Sequence, residues 1–208
     1  MGFSNIMELE QYQRAFARNY TVYCDGITDV SYVAETMAKE YGIGFQVVAS
    51  TTDIERANAA IKKANETLQR EPLRVVLQTL LQRKYQVIIQ AETIFAFGRL
   101  ERDCKTLRGG TAWSVQMALD MEKDVFVYDI ETSTWFRSER RYDPIRQKMK
   151  TKFCIWMKPH LPVLDQSSVI IGSTHIGPIT NNAIQHLFHR TFCDNMQDMQ
   201  RVLEEFEL

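Results

Sequence analysis

Apolar residues recur along this chain with two alternating periods, and the alternation predicts the elements. The run "NYTVYC" over 19–24 reads as a strand, and "DGITD" follows as a turn because Asp-Gly favours positive φ. Val30, Val33, Ala34, Met37, Ala38 and Tyr41 then recur at helical spacing, with Gly42 as the stop. "FQVVA", 45–49, is a second strand. Thr52 and Glu55 have capping-box spacing, and Ile54, Ala57, Ile61, Ala64 and Leu68 form one helix face behind them. Pro72 opens the next helix, with Leu73, Val76, Leu77, Leu80 and Leu81 inward. "QVIIQ", 86–90, fits either a continuation or a strand; the apolar run "TIFAFG", 93–98, is the better strand, so the helix extends to about Gln90.

The second half repeats the rhythm. Ala112, Val115, Ala118 and Leu119 line a helix that two glycines precede, and "VFVYD", 125–129, is a short buried strand. Residues 134–157 are aromatic and basic, with short strands at "TWFR" and "FCIWM". Pro159 and Pro162 bracket a connector, "SVIIG" over 168–172 is another strand, and Ile184, Leu187 and Phe188 mark the helix after it. Met199, Val202, Leu203 and Phe206 give the tail from Asp194 an amphipathic stripe. Strands that alternate with helices predict an α/β fold, a mostly parallel sheet with helices on both faces. In such sheets a ligand sits beyond the carboxyl ends of the strands, where strand order reverses.

Composition narrows the function. The chain has 208 residues and a formal net charge of −1, which argues against a general nucleic-acid coat protein. No apolar run is long enough to cross a bilayer, and "MGFSNIMELEQYQR" lacks a signal pattern or a myristoylation serine, so a cytoplasmic, intracellular protein without a membrane partner is expected. Cys24, Cys104, Cys154 and Cys193 have no zinc spacing. His186 and His189, one turn apart, read as exposed imidazoles, so no metal and no cofactor is expected.

The chemistry concentrates at the predicted strand ends. A helix start carries unpaired N–H groups and partial positive charge, and glycines let an anion approach them. Gly109 and Gly110 stand there, and the Thr111 hydroxyl can cap or bind. "CDGITD", Gly98, Asp129 and "GSTHIGP" end the other strands and project from the same edge. Their agreement favours a nucleotide-like small molecule over plain turns.

The stretch "RGGTAWSVQMALDMEKDVFVYD" resembles the SLOG superfamily, Rossmann-like proteins that include the LOG-type phosphoribohydrolases and the DprA/Smf DNA-processing proteins. It is most similar to a YspA-like branch reading GGTxWAVQMA, and "ANETLQR", "LLQRKYQ", "AETIFAFG" and "IIGSTHIGP" extend the likeness over roughly residues 20 to 190. The resemblance implies a Rossmann-like domain over 19–192, with a small hairpin insertion at 134–157, an N-terminal extension at 1–18 and a C-terminal helix at 193–208. It also implies a homodimer. LOG-type enzymes carry Pro-Gly-Gly-x-Gly-Thr-x-x-Glu here and cleave a nucleotide's N-glycosidic bond. In this chain Leu107 and Arg108 stand in the region of the proline, Ala112 replaces the third glycine, Trp113 the threonine and Gln116 the glutamate. An amide does not stabilise an oxocarbenium-like transition state as a carboxylate does, but it can hydrogen-bond a base or ribose.

The ligand-binding candidates are Gly26, Thr28, Arg83 (or its neighbour Lys84), Gly98, Gly109, Gly110, Thr111, Trp113, Gln116, Asp129, Gly172, Ser173 and Thr174. Trp113 and Trp135 are candidates for stacking a base, against the commoner packing role, and His175 in the last loop is a candidate for proton exchange near neutrality. The leading expectation is nucleotide binding by a sensor or sequestering module. The alternative is an N-glycosidic hydrolase or transferase that uses Asp25, Asp29 or Glu92, with a raised pKa if desolvated. The third reading is DprA-like single-stranded DNA binding by "RSERRYDPIRQKMKTK", with Arg140, Arg141 and Arg146 on phosphates and Tyr142 and Trp135 on bases.

Overall fold

The structure is a computed structural model that describes residues 16–50, 52–70, 75–143, 147–156, 161–173 and 177–194. Expectations for Pro72, Leu73, Arg146, Pro159, Thr174, His175 and the tail beyond Asp194 lie outside the described residues. The strands are β1 (Thr21–Cys24), β2 (Gly44–Val47), β3 (Thr93–Gly98), β4 (Asp124–Asp129), β5 (Thr134–Asp143), β6 (Lys148–Ile155) and β7 (Ser167–Gly172). The helices are α1 (Asp29–Tyr41), α2 (Ile54–Leu68), α3 (Val75–Ile88), α4 (Thr111–Asp120) and α5 (Pro178–His189), the last continued by a π-turn over Arg190–Asp194.

One seven-stranded sheet has the order β2-β1-β7-β3-β4-β5-β6. β2 to β4 along that order are parallel, and β5 and β6 add an antiparallel margin. The architecture is therefore α/β and Rossmann-like. Alternation along the central strands explains why both faces are covered. Ile94 and Ala96 of β3, Val125 and Val127 of β4 and Val169 and Ile171 of β7 pack with α2, α3 and α4. The intervening Phe95, Phe97, Phe126, Tyr128 and Ile170 pack with α1 and α5. Successive side chains of a strand point to opposite faces, so a continuous apolar run serves two cores.

Local chemistry fixes the ends. Thr28 caps α1 by accepting from the Ser31 N–H, and Gly42 closes it at φ 69°. At α2 the capping residue is Asp53, which accepts from the Arg56 N–H at 3.0 Å, rather than the expected Thr52. Thr52 is drawn instead toward Gln86 of α3. The expected hairpin is present, and its two strands, of 10 and 8 residues, are longer than "TWFR" and "FCIWM" and extend the sheet itself. In register, Glu139 stands opposite Lys152 across the two strands.

Gly172 ends β7 where α1 crosses closest. A Cβ there would sit 2.4 Å from Val30 Cγ2 and 3.2 Å from the Phe97 carbonyl oxygen. Its smallness thus serves helix–sheet packing. Gly172→Ala is expected to lower stability by about 1–3 kcal/mol through overpacking. A urea-denaturation midpoint equal to wild type would show that α1 withdraws freely.

Candidate functional site

The glycine loop lies where the sequence places it. β3 ends at Gly98, whose Cα faces Leu107 closely enough that a Cβ would lie 2.8 Å from Cδ2. The chain returns through Arg108, whose N–H donates to the Arg99 carbonyl at 2.8 Å, and enters α4. Gly109 turns at φ 69°, a conformation that favours glycine, whereas Gly110 at φ −67° is already helical. Both are exposed, with open space where a Cβ would stand. No described residue accepts from the N–H groups of Gly109, Gly110 or Thr111, and no side chain caps α4. Those amides are an unfilled positive helix end.

Thr111, 6 % exposed, directs its Cβ toward Gly98, and its hydroxyl has no partner among the described residues. Arg70, which follows α2, completes the loop. Its Nη1 donates to the Gly109 carbonyl at 3.1 Å and its Nη2 to the Leu107 carbonyl at 3.3 Å. The guanidinium carbon stands 4.6 Å from the centre of the Trp113 ring, and Trp113 Nε1 donates to Asn65 Oδ1 at 2.6 Å. Sequence reasoning missed Arg70 and Asn65 and placed the arginine at Arg83. No local pattern marks a cation 37 to 39 residues from the carbonyls it holds.

Several candidates do structural work instead. Arg83 donates to the Asp25 carbonyl at 2.6 Å and the Val48 carbonyl at 3.3 Å, tying the ends of β1 and β2 to α3. Asp25 is buried. Its Oδ2 meets Lys84 Nζ at 3.0 Å, and its Oδ1 accepts from the Ser31 hydroxyl at 2.7 Å, the Ile27 N–H at 3.1 Å and the Thr28 hydroxyl at 3.3 Å. Burial works to raise its pKa, but the Lys84 charge and the Ser31 and Ile27 hydrogen bonds outweigh burial and hold the carboxyl below its ordinary range. This corrects the expectation of a desolvated acid with a raised pKa. The adjoining Cys24 thiol is pushed up, first by burial and then by the Asp25 charge, so it stays protonated.

Gly26, at φ 69°, abuts Val47, and Thr28 is spent on the α1 cap. Asp29 is exposed as the first residue of α1. Glu92 precedes β3 and pairs with Lys123 at 3.4 Å. It stands at the amino edge of the sheet, opposite the glycine loop, and does not join a site there. Gln116 is buried and donates to Asp120 Oδ1 at 2.9 Å, one turn further from the glycines. Asp129 is buried too, accepting from the N–H groups of Leu100 at 3.0 Å and Thr132 at 3.2 Å and from the Thr132 hydroxyl at 2.7 Å. Ser173 follows β7 half-buried. Trp135 is buried and enclosed by Phe95, Phe97 and Tyr128.

The three arginines of β5 each meet a carboxylate. Arg137 forms a two-pronged pair with Asp124, Arg140 meets Glu122 at 3.1 Å and Arg141 meets Glu139 at 2.7 Å. An open groove of about 910 Å³ crosses this hairpin, lined by Phe136, Phe153, Ile155 and Trp156 and, from the loop that leads to the glycines, by Cys104. A shallower depression of about 490 Å³ adjoins the loop, bordered by Arg102, Thr106 and Arg108. No described helix is long and apolar enough to cross a membrane. Comparison with protein families, curated proteins and solved structures yields no match to this chain.

Proposed function

We propose that the protein binds a nucleotide or nucleotide-derived ligand through its phosphate, as a sensor or sequestering module, at the carboxyl edge of the parallel sheet. The carrying observation is the run of amides at the exposed Gly109 and Gly110 and at Thr111, unclaimed by any described acceptor at the start of α4. The helix dipole and Arg70 add positive potential at the same place. The likeness of the Arg108–Gln116 segment to SLOG proteins supports the reading. Binding is favoured over glycosidic cleavage because Gln116 is tied to Asp120, Asp25 to Lys84, and Glu92 lies at the far edge.

Gly110→Asp tests it. The backbone at φ −67° accepts any L-residue, and the added Cβ meets nothing within 4 Å. A carboxylate at a helix start favours the helix by roughly 0.3–1 kcal/mol and repels a bound anion. The variant is expected to keep or raise the unliganded melting temperature while losing the rise that nucleotides produce in the wild type. An undiminished nucleotide shift in the folded variant places the phosphate elsewhere.

A further inference from the structure

We infer that the outer edge of β6 is a docking edge for an extended peptide whose side chains alternate acidic and apolar. β6 is the last strand of the sheet, laddered to β5 alone. The Trp156 N–H donates inward to the Trp135 carbonyl at 2.8 Å. An antiparallel ladder alternates, so the backbone groups of Lys150, Lys152 and Cys154 also face β5, and those of Thr151, Phe153 and Ile155 face outward. One outward group is taken: the Phe153 N–H donates to the Cys104 carbonyl at 2.8 Å. The Thr151 and Ile155 N–H groups have no acceptor among the described residues. The edge thus already holds one bond to a segment that is not a strand, and an added strand takes over that bond within a continuous ladder.

Side chains along the edge specify the occupant. Strand alternation puts Phe153 and Ile155 on one face, with Phe136 opposite Ile155, and Lys150 and Lys152 on the other. Ile155 is 56 % exposed and lines the open groove with Phe153. Lys150 and Lys152 are exposed. Glu139, opposite Lys152, is taken by Arg141 at 2.7 Å, and no described carboxylate forms an ion pair with Lys152. An added strand therefore lays every second side chain on apolar surface and the others beside ammonium groups. A second copy of the chain does not fit. Antiparallel pairing of β6 with another β6, centred on Lys150, Thr151 or Lys152, sets lysine opposite lysine. Edge lysines oppose such self-pairing, and an acidic partner turns the same charges into attraction. A nucleic-acid strand would use the lysines but leave the outward amides and Ile155 unanswered.

The probe is an eight-residue peptide of alternating glutamate and valine, as long as β6, added to the whole chain and followed by calorimetry and hydrogen exchange. It is expected to bind, more weakly as salt rises, and to protect the amides of Thr151 and Ile155. A lysine–valine peptide is expected to bind at least about tenfold more weakly. Thr151→Pro removes one outward donor and leaves the β5 ladder whole, at a position where an edge strand tolerates proline. Circular dichroism and a urea midpoint check its fold, and its affinity for the acidic peptide is expected to fall at least about tenfold. Lys152→Gln leaves the backbone untouched and is expected to weaken the acidic peptide too; with an acidic peptide N-methylated on alternate amides, which is expected not to bind, it carries the test if Thr151→Pro does not fold. Absence of binding, equal binding of the two peptides, or undiminished binding to folded Thr151→Pro and to Lys152→Gln overturns the inference. So does a dimer in sedimentation that Thr151→Pro dissolves, which gives the edge to a second copy, or binding of oligothymidylate in place of the acidic peptide, which gives the lysines to nucleic acid.

Discussion

Lys84→Met is expected to destabilise the protein by about 3–5 kcal/mol, because it leaves the Asp25 carboxylate buried without its countercharge. Lys84 is 5 % exposed and Asp25 2 %, so water replaces little of the lost interaction. The effect carries a pH signature of defined sign. In the wild type Asp25 titrates below its ordinary 3.8, so on acidification the unfolded chain takes up the proton first. The stabilisation is complete above about pH 4 and is lost as pH falls through the folded value. In Lys84→Met the opposing cation is gone and only the Ser31 and Ile27 hydrogen bonds still work against burial, so the carboxyl is expected to move above its ordinary value. The folded state then protonates first, and stability rises as pH falls toward that raised value. Urea denaturation at pH 7 and about pH 5 distinguishes the two, since only the variant recovers stability in acid. Adding Asp25→Asn to Lys84→Met is expected to restore much of the loss at neutral pH. Parallel pH profiles for wild type and Lys84→Met would mean that the carboxylate gains another partner or opens to water.

Asp129→Ala has the second large expected effect, about 2–4 kcal/mol. One buried carboxylate joins two loops, taking the Leu100 N–H after β3 and the Thr132 N–H and hydroxyl after β4. Bonds to a charged acceptor contribute about 1.5–3 kcal/mol each, and truncation strands the buried Leu100 N–H. The loss reaches the site because Leu100 pairs with Leu107 in an antiparallel bridge, just ahead of the glycines. Hydrogen exchange is expected to accelerate first over 99–110. Uniform acceleration over the sheet, with that loop unchanged, would show that Asp129 does not anchor it. Asp129→Asn retains an acceptor and is expected to lose less.

These two aspartates show which parts of the molecule a sequence reveals. "TIFAFG" declares a doubly covered strand because every residue is apolar, and Gly42 marks its helix stop because it turns in a left-handed conformation. The Gly-Gly entry to α4 is legible for the same local reason. Asp25 and Asp129 look alike at strand ends, and only three-dimensional partners distinguish a carboxylate available to a ligand from one occupied by Lys84 or by loop amides. Arg70 was hidden because its acceptors lie 37 and 39 residues away. The hairpin strands were read too short because charge suggests a loop, whereas the arginines of β5 find carboxylates at Asp124, Glu122 and Glu139 while the strand stays paired. Strand order was equally inaccessible, because β7 enters between two earlier strands without any change in its own composition.

That placement of β7 bears on how the chain is made. β1–β2 and β3 to β6 are complete well before residue 167, yet the two groups share no ladder until β7 bonds to β1 on one side and β3 on the other. During synthesis each group therefore presents a bare central edge, through Val22 and Tyr23 and through Phe95 and Ala96, until the last strand leaves the ribosome. Joining them demands contacts of long sequence separation, so closure of the sheet is expected to be a late and slow event of biogenesis.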